Sequence, residues 1–257
     1  MSVALHHRQS GPEGAPVLLL GSSLGTTGSM WEPQHRALDR TLRCISFDHR
    51  GHGGSPAPAG PYTIAALGED VIALMDRLGI ERAAYAGISL GGMLGQWLAA
   101  HHPQRVERLV LIATSAHLGA REAWLERAVT VRTAGTTEVI ADAVLSRWFT
   151  PGWAAEQRAL IARLREDFCR SDPEGYAGCC EAIAELDLRA ELARISVPTL
   201  VIGGAQDPAI PPHNQRVIAE AVRGARLELI EDAAHIPTLQ HPAAVNALIA
   251  DHLGVGL

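Results

Sequence analysis

The sequence has few of the features that mark secreted or membrane proteins. Only four of its 257 residues are cysteine, and none forms a Cys-x-x-Cys pair near histidines, which disfavours a disulfide framework or a zinc site. The N-terminus lacks the apolar core of a signal peptide. No uncharged run approaches the ~20 residues that cross a bilayer. We therefore expect reduced thiols, a cytoplasmic location and no membrane as partner.

Positive charge is also scarce. Lys and Arg together number 22 against 28 Asp and Glu, a formal net charge of −6. A polyanion needs a positively charged surface, so we expect no nucleic acid as partner. The net charge does not exclude a small anionic substrate, because a few arginines in a pocket would bind it. The sequence neither predicts nor excludes a homo-oligomer.

The composition is that of an ordinary globular protein, with 47% hydrophobic and 19% charged residues. This length allows one domain with a full core. Short apolar runs alternate with stretches of helical periodicity, which predicts an α/β fold: a mostly parallel, doubly wound sheet with helices on both faces. The predicted strands are 17–20, 44–47, 83–86, 109–113, 199–202 and 227–230, and the predicted helices are 31–40, 64–78, 90–101, 213–222 and 243–253.

One region interrupts this alternation. From 117 to 195 the sequence contains no convincing strand, only helix-like stretches such as 123–131, 137–148 and 155–168. An all-helical block between two strands predicts a cap over the active site. We therefore expect a core formed by residues 1–116 and 196–257, and a helical cap formed by residues 117–195.

The most informative motif is the hexapeptide 87–92, Gly-Ile-Ser-Leu-Gly-Gly, which follows one predicted strand and opens the helix 90–101. A serine flanked by glycines two residues away on each side is typical of a nucleophile elbow, where larger side chains would collide with the neighbouring strand and helix. The turn also places Ser89 at the positive end of a helix dipole, which stabilises an oxyanion. The motif in this context predicts a serine hydrolase.

A nucleophilic serine needs a base, and the base needs an acid that orients it. On this type of fold the order along the chain is Ser, then Asp or Glu, then His. Asp207 is the only acid in the loop after the fifth predicted strand, and His235 follows the sixth. We predict the catalytic triad Ser89, Asp207 and His235. Glu231 and Asp232, on the histidine's own loop, are the alternatives for the acid.

An oxyanion hole should combine two backbone N–H groups. One belongs to the residue after the nucleophile, Leu90. The other lies in the loop after the first predicted strand, where we favour Leu24, with Ser23 as the alternative.

The segment 48–55, Asp-His-Arg-Gly-His-Gly-Gly-Ser, has the composition of a metal or phosphate site. Two histidines three residues apart seldom bind a metal without further ligands, and no helix follows that would cradle a phosphate. We interpret the segment as a tight loop below the active site, with Asp48 and Arg50 as its hydrogen-bonding residues.

Together these motifs resemble the α/β-hydrolase superfamily over nearly the whole chain, and more closely the 3-oxoadipate enol-lactonases of the β-ketoadipate pathway. The cap segments carry most weight, because the core motifs are shared by many esterases and C–C hydrolases whereas caps differ between families. Besides the elbow and the 48–55 loop, the matching segments are 22–26 with Met30 and Trp31, 93–97, 147–151, 175–183 and 187–189.

The resemblance implies hydrolysis of an enol-lactone that bears a carboxymethyl arm, through an acyl intermediate on Ser89, in the catabolism of aromatic compounds. Such a reaction requires no metal or organic cofactor, so none is expected. The chain departs from the family at Ser22, His49 and the pair Pro237-Thr238. A related lactone or ester is therefore an alternative substrate.

An anionic arm needs a cation that keeps its charge in a dry pocket, which suits arginine. Arg127, Arg132 and Arg147 are the candidates in the cap, and Trp124 and Trp148 would form apolar walls. Arg127 follows Trp124 by three residues, so the two share a helix face. We predict Trp124, Arg127 and Trp148 as substrate-binding residues. The alternative is that the arginines are solvated and the tryptophans belong to the core.

Two other functions stay open. A carboxylesterase, perhydrolase or C–C hydrolase would use the same triad on a related ester or lactone. A non-catalytic α/β-hydrolase-fold protein would bind its small molecule as a receptor. Such proteins often lack a member of the triad, and this chain has all three, which favours an enzyme.

Overall fold

A computed structural model describes residues 2–257. Across these residues seven strands form one sheet: β1 (His7–Ser10), β2 (Val17–Gly21), β3 (Arg43–Phe47), β4 (Ala83–Ile88), β5 (Val106–Ile112), β6 (Thr199–Gly204) and β7 (Arg226–Ile230). Their spatial order is β1-β3-β2-β4-β5-β6-β7. Neighbouring strands run parallel, except that β1 is antiparallel to β3 at one edge.

The central strands are apolar because both faces of the sheet are covered. Every residue of β4 and of β6 is buried, and a parallel sheet covered on both faces produces such continuous apolar runs. The predicted α/β architecture with a mostly parallel sheet is therefore confirmed. All six predicted strands are present, and their ends differ from the prediction by three residues or fewer.

The first strand was not predicted. Its sequence, His-Arg-Gln-Ser, contains no apolar residue, and its two central residues are exposed. It lies at the edge of the sheet and is extended because it pairs with β3. Hydrophobic periodicity has no signal for a strand of this kind.

Eleven helices lie between and after the strands of residues 2–257: α1 (Glu32–Leu38), α2 (Ile64–Arg77), α3 (Leu90–His101), α4 (Arg121–Ala134), α5 (Glu138–Leu145), α6 (Pro151–Glu156), α7 (Arg158–Cys169), α8 (Pro173–Ala184), α9 (Pro212–Ala221), α10 (Pro237–Gln240) and α11 (Pro242–Leu253). Side-chain caps fix some of their starts. Thr63 Oγ1 accepts the N–H of Ala66 before α2, and the Asp172 carboxylate accepts two N–H groups at the start of α8. In residues 2–257, no helix combines the length and the apolar character needed to cross a membrane.

Helices α4 to α8 form a helical segment between β5 and β6, and no strand lies between 117 and 195. Backbone hydrogen bonds join this segment to the sheet-bearing part of the molecule at three places. Asp172 N donates to Gly51 O (2.7 Å), Leu188 N to Ala116 O (2.8 Å), and Ile236 N to the carbonyl oxygen of Trp148 (2.9 Å). The helical segment is thereby held over the carboxyl ends of the strands.

A buried ion pair joins the loop after β3 to helix α2. Arg50 donates from Nε to Asp70 Oδ2 (2.5 Å) and from Nη2 to Oδ1 (2.9 Å). The N–H of Val3 donates to the same Oδ1 (2.8 Å). Both charged side chains are buried, so either one alone would be an uncompensated charge in the interior.

Asp70→Ala is therefore expected to lower the free energy of unfolding by about 3–5 kcal/mol, because it leaves the buried guanidinium of Arg50 without its counter-ion. Asp76→Ala is the matched control: it breaks an ion pair with Arg105 in which the aspartate side chain is 62% exposed, and exposed pairs contribute under about 1 kcal/mol. Urea unfolding of both variants provides the comparison. Equal midpoints would contradict a structural role for the buried pair.

Candidate active site

Ser89 stands at the turn between β4 and α3, in a backbone conformation that few non-glycine residues adopt. Its φ is 54° and its ψ is −115°, a strained geometry that persists only where the surroundings enforce it. Two hydrogen bonds do so: Ser89 N donates to Ile112 O (2.9 Å), and Thr114 Oγ1 donates to Ser89 O (2.8 Å). The side chain therefore projects from the end of the strand at the N-terminus of a 12-residue helix.

The flanking glycines are required by close backbone contacts. A Cβ on Gly87 would stand 2.2 Å from Gly91 O, and a Cβ on Gly91 would stand 2.2 Å from Gly21 O. These contacts bring β2, β4 and α3 together at one point. They explain the spacing of glycine around Ser89.

The loops after β6 and β7 bring an aspartate to a histidine. His235 Nδ1 and Asp207 Oδ2 are 2.9 Å apart, and both side chains are almost fully buried. The second carboxylate oxygen, Asp207 Oδ1, accepts the N–H groups of Ala209 (2.8 Å) and Ile210 (3.0 Å). A carboxylate fixed in this way keeps the proton on Nδ1 and leaves Nε2 as the acceptor.

The structure does not bring the alternative acids to the histidine. Glu231 and Asp232 are exposed. Asp232 Oδ1 instead accepts a hydrogen bond from Gln206 Nε2 (3.0 Å). Asp207 is thus the carboxylate that contacts His235.

Residues 22–25, the loop after β2, lie against the start of α3. The carbonyl oxygen of Ser22 accepts Gly91 N (3.0 Å) and His49 Nε2 (2.8 Å). Farther along the loop, Ser23 N is 3.5 Å from the sulfur of Met30, and Gly25 N donates to His52 Nε2 (2.9 Å). Because the N–H groups of Ser23 and Gly25 contact these partners, Leu24 stays our candidate for the loop's donor in an oxyanion hole, in preference to Ser23.

The two histidines that hold this loop are buried and neutral. Burial lowers the pKa of His49 to about 4 and also lowers the pKa of His52. His52 Nδ1 donates to Arg50 O (2.9 Å), so its Nε2 is free of a proton and accepts Gly25 N–H. These residues position the backbone of the loop.

Asp48 links the 48–55 loop to neighbouring segments through hydrogen bonds. Asp48 bonds to Gly28 N (2.7 Å), Gly54 N (3.0 Å) and His6 Nδ1 (2.9 Å). Arg50 reaches out of the loop to α2 rather than bracing it from within. Across residues 2–257, no group of three or more His, Cys, Asp or Glu side chains has the arrangement of a metal site.

Ser89 and His235 line a cavity between the sheet and the helical segment. Leu24 also lines it. Most of the wall is apolar, and Arg127 and Arg147 are its charged members. The remaining lining residues are Ser23, Met93, Leu118, Trp124, Arg127, Val144, Arg147, Trp148, Tyr176, Ile183, Ala209 and Ile210.

All three predicted substrate-binding residues lie at one cavity, whereas the candidate Arg132 does not line it. Trp124, Arg127 and Trp148 line the cavity. Arg132 lies elsewhere: it pairs with Glu174 (2.6 Å) and Glu181 (2.8 Å). Helical periodicity along α4 could not show that Arg127 lines the cavity and Arg132 does not, because the glutamates that pair with Arg132 belong to a different helix, α8.

Sequence reasoning also missed a polar residue of the wall. Tyr176 on α8 is fully buried, and burial raises the pKa of its hydroxyl, which therefore keeps its proton. The guanidinium of Arg127 lies beside it and 4.4 Å above the ring of Trp124. Arg147 faces the same space, and its pKa is lowered by burial and by the charge of Arg127.

The chain is similar to known proteins over nearly its whole length. A family model described as alpha/beta hydrolase fold matches residues 16–166 and 170–242. The protein named 3-oxoadipate enol-lactonase 2 of Acinetobacter baylyi is 43% identical, over 95% of this chain and 91% of its own length. The 3-oxoadipate enol-lactonase 1 of that bacterium is 33% identical, over 91% and 86%.

A solved structure gives the same result. The crystal structure of the enol-lactonase from Burkholderia xenovorans LB400 superposes with a TM-score of 0.95 at 45% identity, covering 98% of this chain and 97% of that one. The resemblance inferred from the motifs is thereby confirmed.

Gly91→Ala is expected to lower the free energy of unfolding by about 1–3 kcal/mol, because the new Cβ would overlap backbone atoms of Gly21 that cannot rotate away. Labelling of Ser89 by a fluorophosphonate should also slow. Gly152→Ala is the control, since no atom lies within 4 Å of a Cβ at that position. Similar unfolding midpoints and labelling rates in the two variants would contradict this account of the elbow.

Proposed function

The chain belongs to the alpha/beta hydrolase fold family, and we propose that it opens 3-oxoadipate enol-lactone to 3-oxoadipate by a serine-hydrolase mechanism. The observation that carries the proposal is the cavity itself: Ser89 and the His235–Asp207 pair meet there with unpaired arginines. This combination suits a small ester that carries its own negative charge. Relatives named as 3-oxoadipate enol-lactonases support the same substrate.

In this mechanism Ser89 is the nucleophile and His235 the general base. Nε2 of His235 takes the proton of Ser89 Oγ as the oxygen attacks the ring carbonyl carbon. Asp207 stabilises the imidazolium that forms, through the 2.9 Å contact with Nδ1.

The carbonyl oxygen becomes an oxyanion in the same step. We assign its stabilisation to the backbone N–H groups of Leu90, at the start of α3, and Leu24. The removal of one such donor raises the activation barrier by about 3–4 kcal/mol. His49 and His52 contribute by holding the loop that carries Leu24.

Collapse of the tetrahedral intermediate breaks the ring C–O bond. The departing group is an enolate, a better leaving group than an alkoxide, and it becomes a ketone after protonation. A water molecule activated by His235 then attacks the acyl group on Ser89 and releases the 3-oxo dicarboxylate. The triad and the two backbone N–H groups therefore supply every catalytic group that this cycle uses.

The helical segment supplies the specificity. We propose that residues 117–195 act as a cap on a core of residues 1–116 and 196–257, and that the Arg127 guanidinium binds the carboxylate of the substrate's arm. Trp124 and Trp148 would form the apolar walls beside it. The Arg127 guanidinium carbon lies 4.4 Å from the centre of the Trp124 ring, and this stacking holds the cation in place without neutralising it.

We further propose that the enzyme acts in the cytoplasm on this free small molecule, within the degradation of aromatic compounds. The four cysteines are free thiols, which supports the cytoplasmic location. The formal net charge of −6 supports a small molecule rather than a polyanion as the binding partner.

The decisive assay follows the ultraviolet absorbance of 3-oxoadipate enol-lactone beside hydrolysis of p-nitrophenyl acetate. Wild-type protein is expected to consume the lactone, and Ser89→Ala to lose the activity by about 10⁴-fold or more, as triad serines do. Ester hydrolysis without lactone consumption would retain the triad and contradict the lactone. Wild-type protein inactive on both substrates would favour a receptor.

Arg127→Met tests the arm-binding role. Because the arginine is proposed to contact the carboxylate, KM for the lactone should rise by about 10- to 100-fold, the range for a charge-assisted hydrogen bond. Arg132→Met, which removes an exposed arginine paired with two glutamates, is the control and should leave KM unchanged. An equal loss on the lactone and on p-nitrophenyl acetate would assign Arg127 to the structure of the cavity instead.

A further inference from the structure

The cavity holds two arginines without a carboxylate partner. Among residues 2–257, Arg132 and Arg165 of the helical segment form ion pairs with acidic side chains, whereas Arg127 and Arg147 form none. A partly buried guanidinium without a counter-ion is unfavourable, and the charge of Arg127 contributes to lowering the pKa of Arg147. The arm of the proposed substrate carries one carboxylate. With Arg127 assigned to that carboxylate, Arg147 is left to stabilise a negative charge that develops during the reaction.

The two arginines stand at different places relative to the triad. Arg127 lies on α4, stacked on Trp124 and beside the Tyr176 hydroxyl. Arg147 lies beyond the end of α5, and the carbonyl oxygen of its neighbour Trp148 accepts the N–H of Ile236 (2.9 Å).

Ile236 directly follows His235, so this hydrogen bond ties the backbone beside Arg147 to the backbone beside the base. The negative charge of Asp207 also reaches Arg147. Both arginines interact with the Tyr176 hydroxyl. Arg147 is in addition tied to the triad side of the cavity by this hydrogen bond and by the charge of Asp207, whereas Arg127 is stacked on Trp124 of α4.

We propose that Arg147 is a catalytic residue that stabilises the leaving-group oxygen as the ring opens. The inference rests on the proposed function, in which that oxygen belongs to an enolate. As the tetrahedral intermediate collapses, the carbonyl C=O re-forms and the ring C–O bond breaks, with its electron pair passing to the ring oxygen. Arg147 donates a hydrogen bond to this oxygen. The proton on His235 Nε2 then neutralises the enolate, and tautomerisation gives the ketone.

This assignment gives each developing charge its own donor. The N–H groups of Leu24 and Leu90 face the former carbonyl oxygen and do not serve the ring oxygen on the other side of the same carbon. A guanidinium keeps its proton even when burial lowers its pKa. Arg147 therefore stabilises negative charge on the leaving group without competing with His235 as the acid.

The test uses aryl acetates, which lack a carboxylate arm, with phenol leaving groups of increasing pKa. For wild type, Arg147→Met, Arg127→Met and Arg132→Met, log kcat/KM is plotted against the leaving-group pKa. Arg147→Met should steepen the dependence: the most basic phenols lose about 10- to 100-fold in kcat/KM, and 4-nitrophenol loses little. Arg127→Met and Arg132→Met should keep the wild-type slope.

The slope does not depend on how much of a variant is folded, so partial misfolding cannot imitate the effect. Arg147→Lys, which restores a cation, should bring the slope back toward that of wild type. An unchanged slope in Arg147→Met, with a raised KM for the lactone, would overturn the proposal and make Arg147 a second ligand of the arm. A changed slope in a protein that does not consume the lactone would support Arg147 and contradict the proposed substrate.

Discussion

The site depends on one contact between backbones, where helix α3 touches strand β2 through two glycines. A side chain on Gly91 would overlap the carbonyl group of Gly21. This approach lets Gly91 N donate to Ser22 O, and it therefore fixes how far the loop carrying Leu24 stands from the helix start carrying Leu90. Since oxyanion stabilisation requires donors at a set distance from one point, the proposed chemistry follows from the absence of a Cβ.

Buried polar side chains fix the position of the loop after β2 and the orientation of His235. His49 and His52 hold the two ends of the loop after β2, and they do so as neutral rings because burial disfavours their charged forms. Asp207 is held in turn by two backbone N–H groups while it contacts His235. Each of these groups forms hydrogen bonds inside the protein, and buried polar side chains that are hydrogen-bonded orient a site rather than destabilise it.

The sequence was most predictive where local pattern and topology agree. Apolar runs located six strands, and because carboxyl ends of parallel strands share one edge, the residues after three of them were expected to meet. The edge strand β1 was missed because its four residues are all polar. Local sequence pattern could not predict the roles of the arginines. Arg132 pairs with glutamates that lie 42 and 49 residues farther along the chain, and Arg147 stands after the end of α5, where helical periodicity no longer applies. The 48–55 segment could be interpreted as a structural loop from its sequence, but the partners of His49 and His52 could not be predicted, because they are backbone groups of a different loop.

The helical segment is attached to the rest of the molecule through main-chain groups, at Gly51 with Asp172, at Ala116 with Leu188, and at Trp148 with Ile236. Peptide groups are the same in every residue other than proline, so these three hydrogen bonds do not depend on which side chains the segment carries. The cavity wall can therefore diversify while the segment stays docked. A designer who wishes to redirect the enzyme to another ester can exchange cavity-lining residues such as Trp124 and Ile183, provided that no proline enters at 172, 188 or 236. Gly175 of α8 must stay, because a Cβ there would stand 2.3 Å from Gly51 Cα.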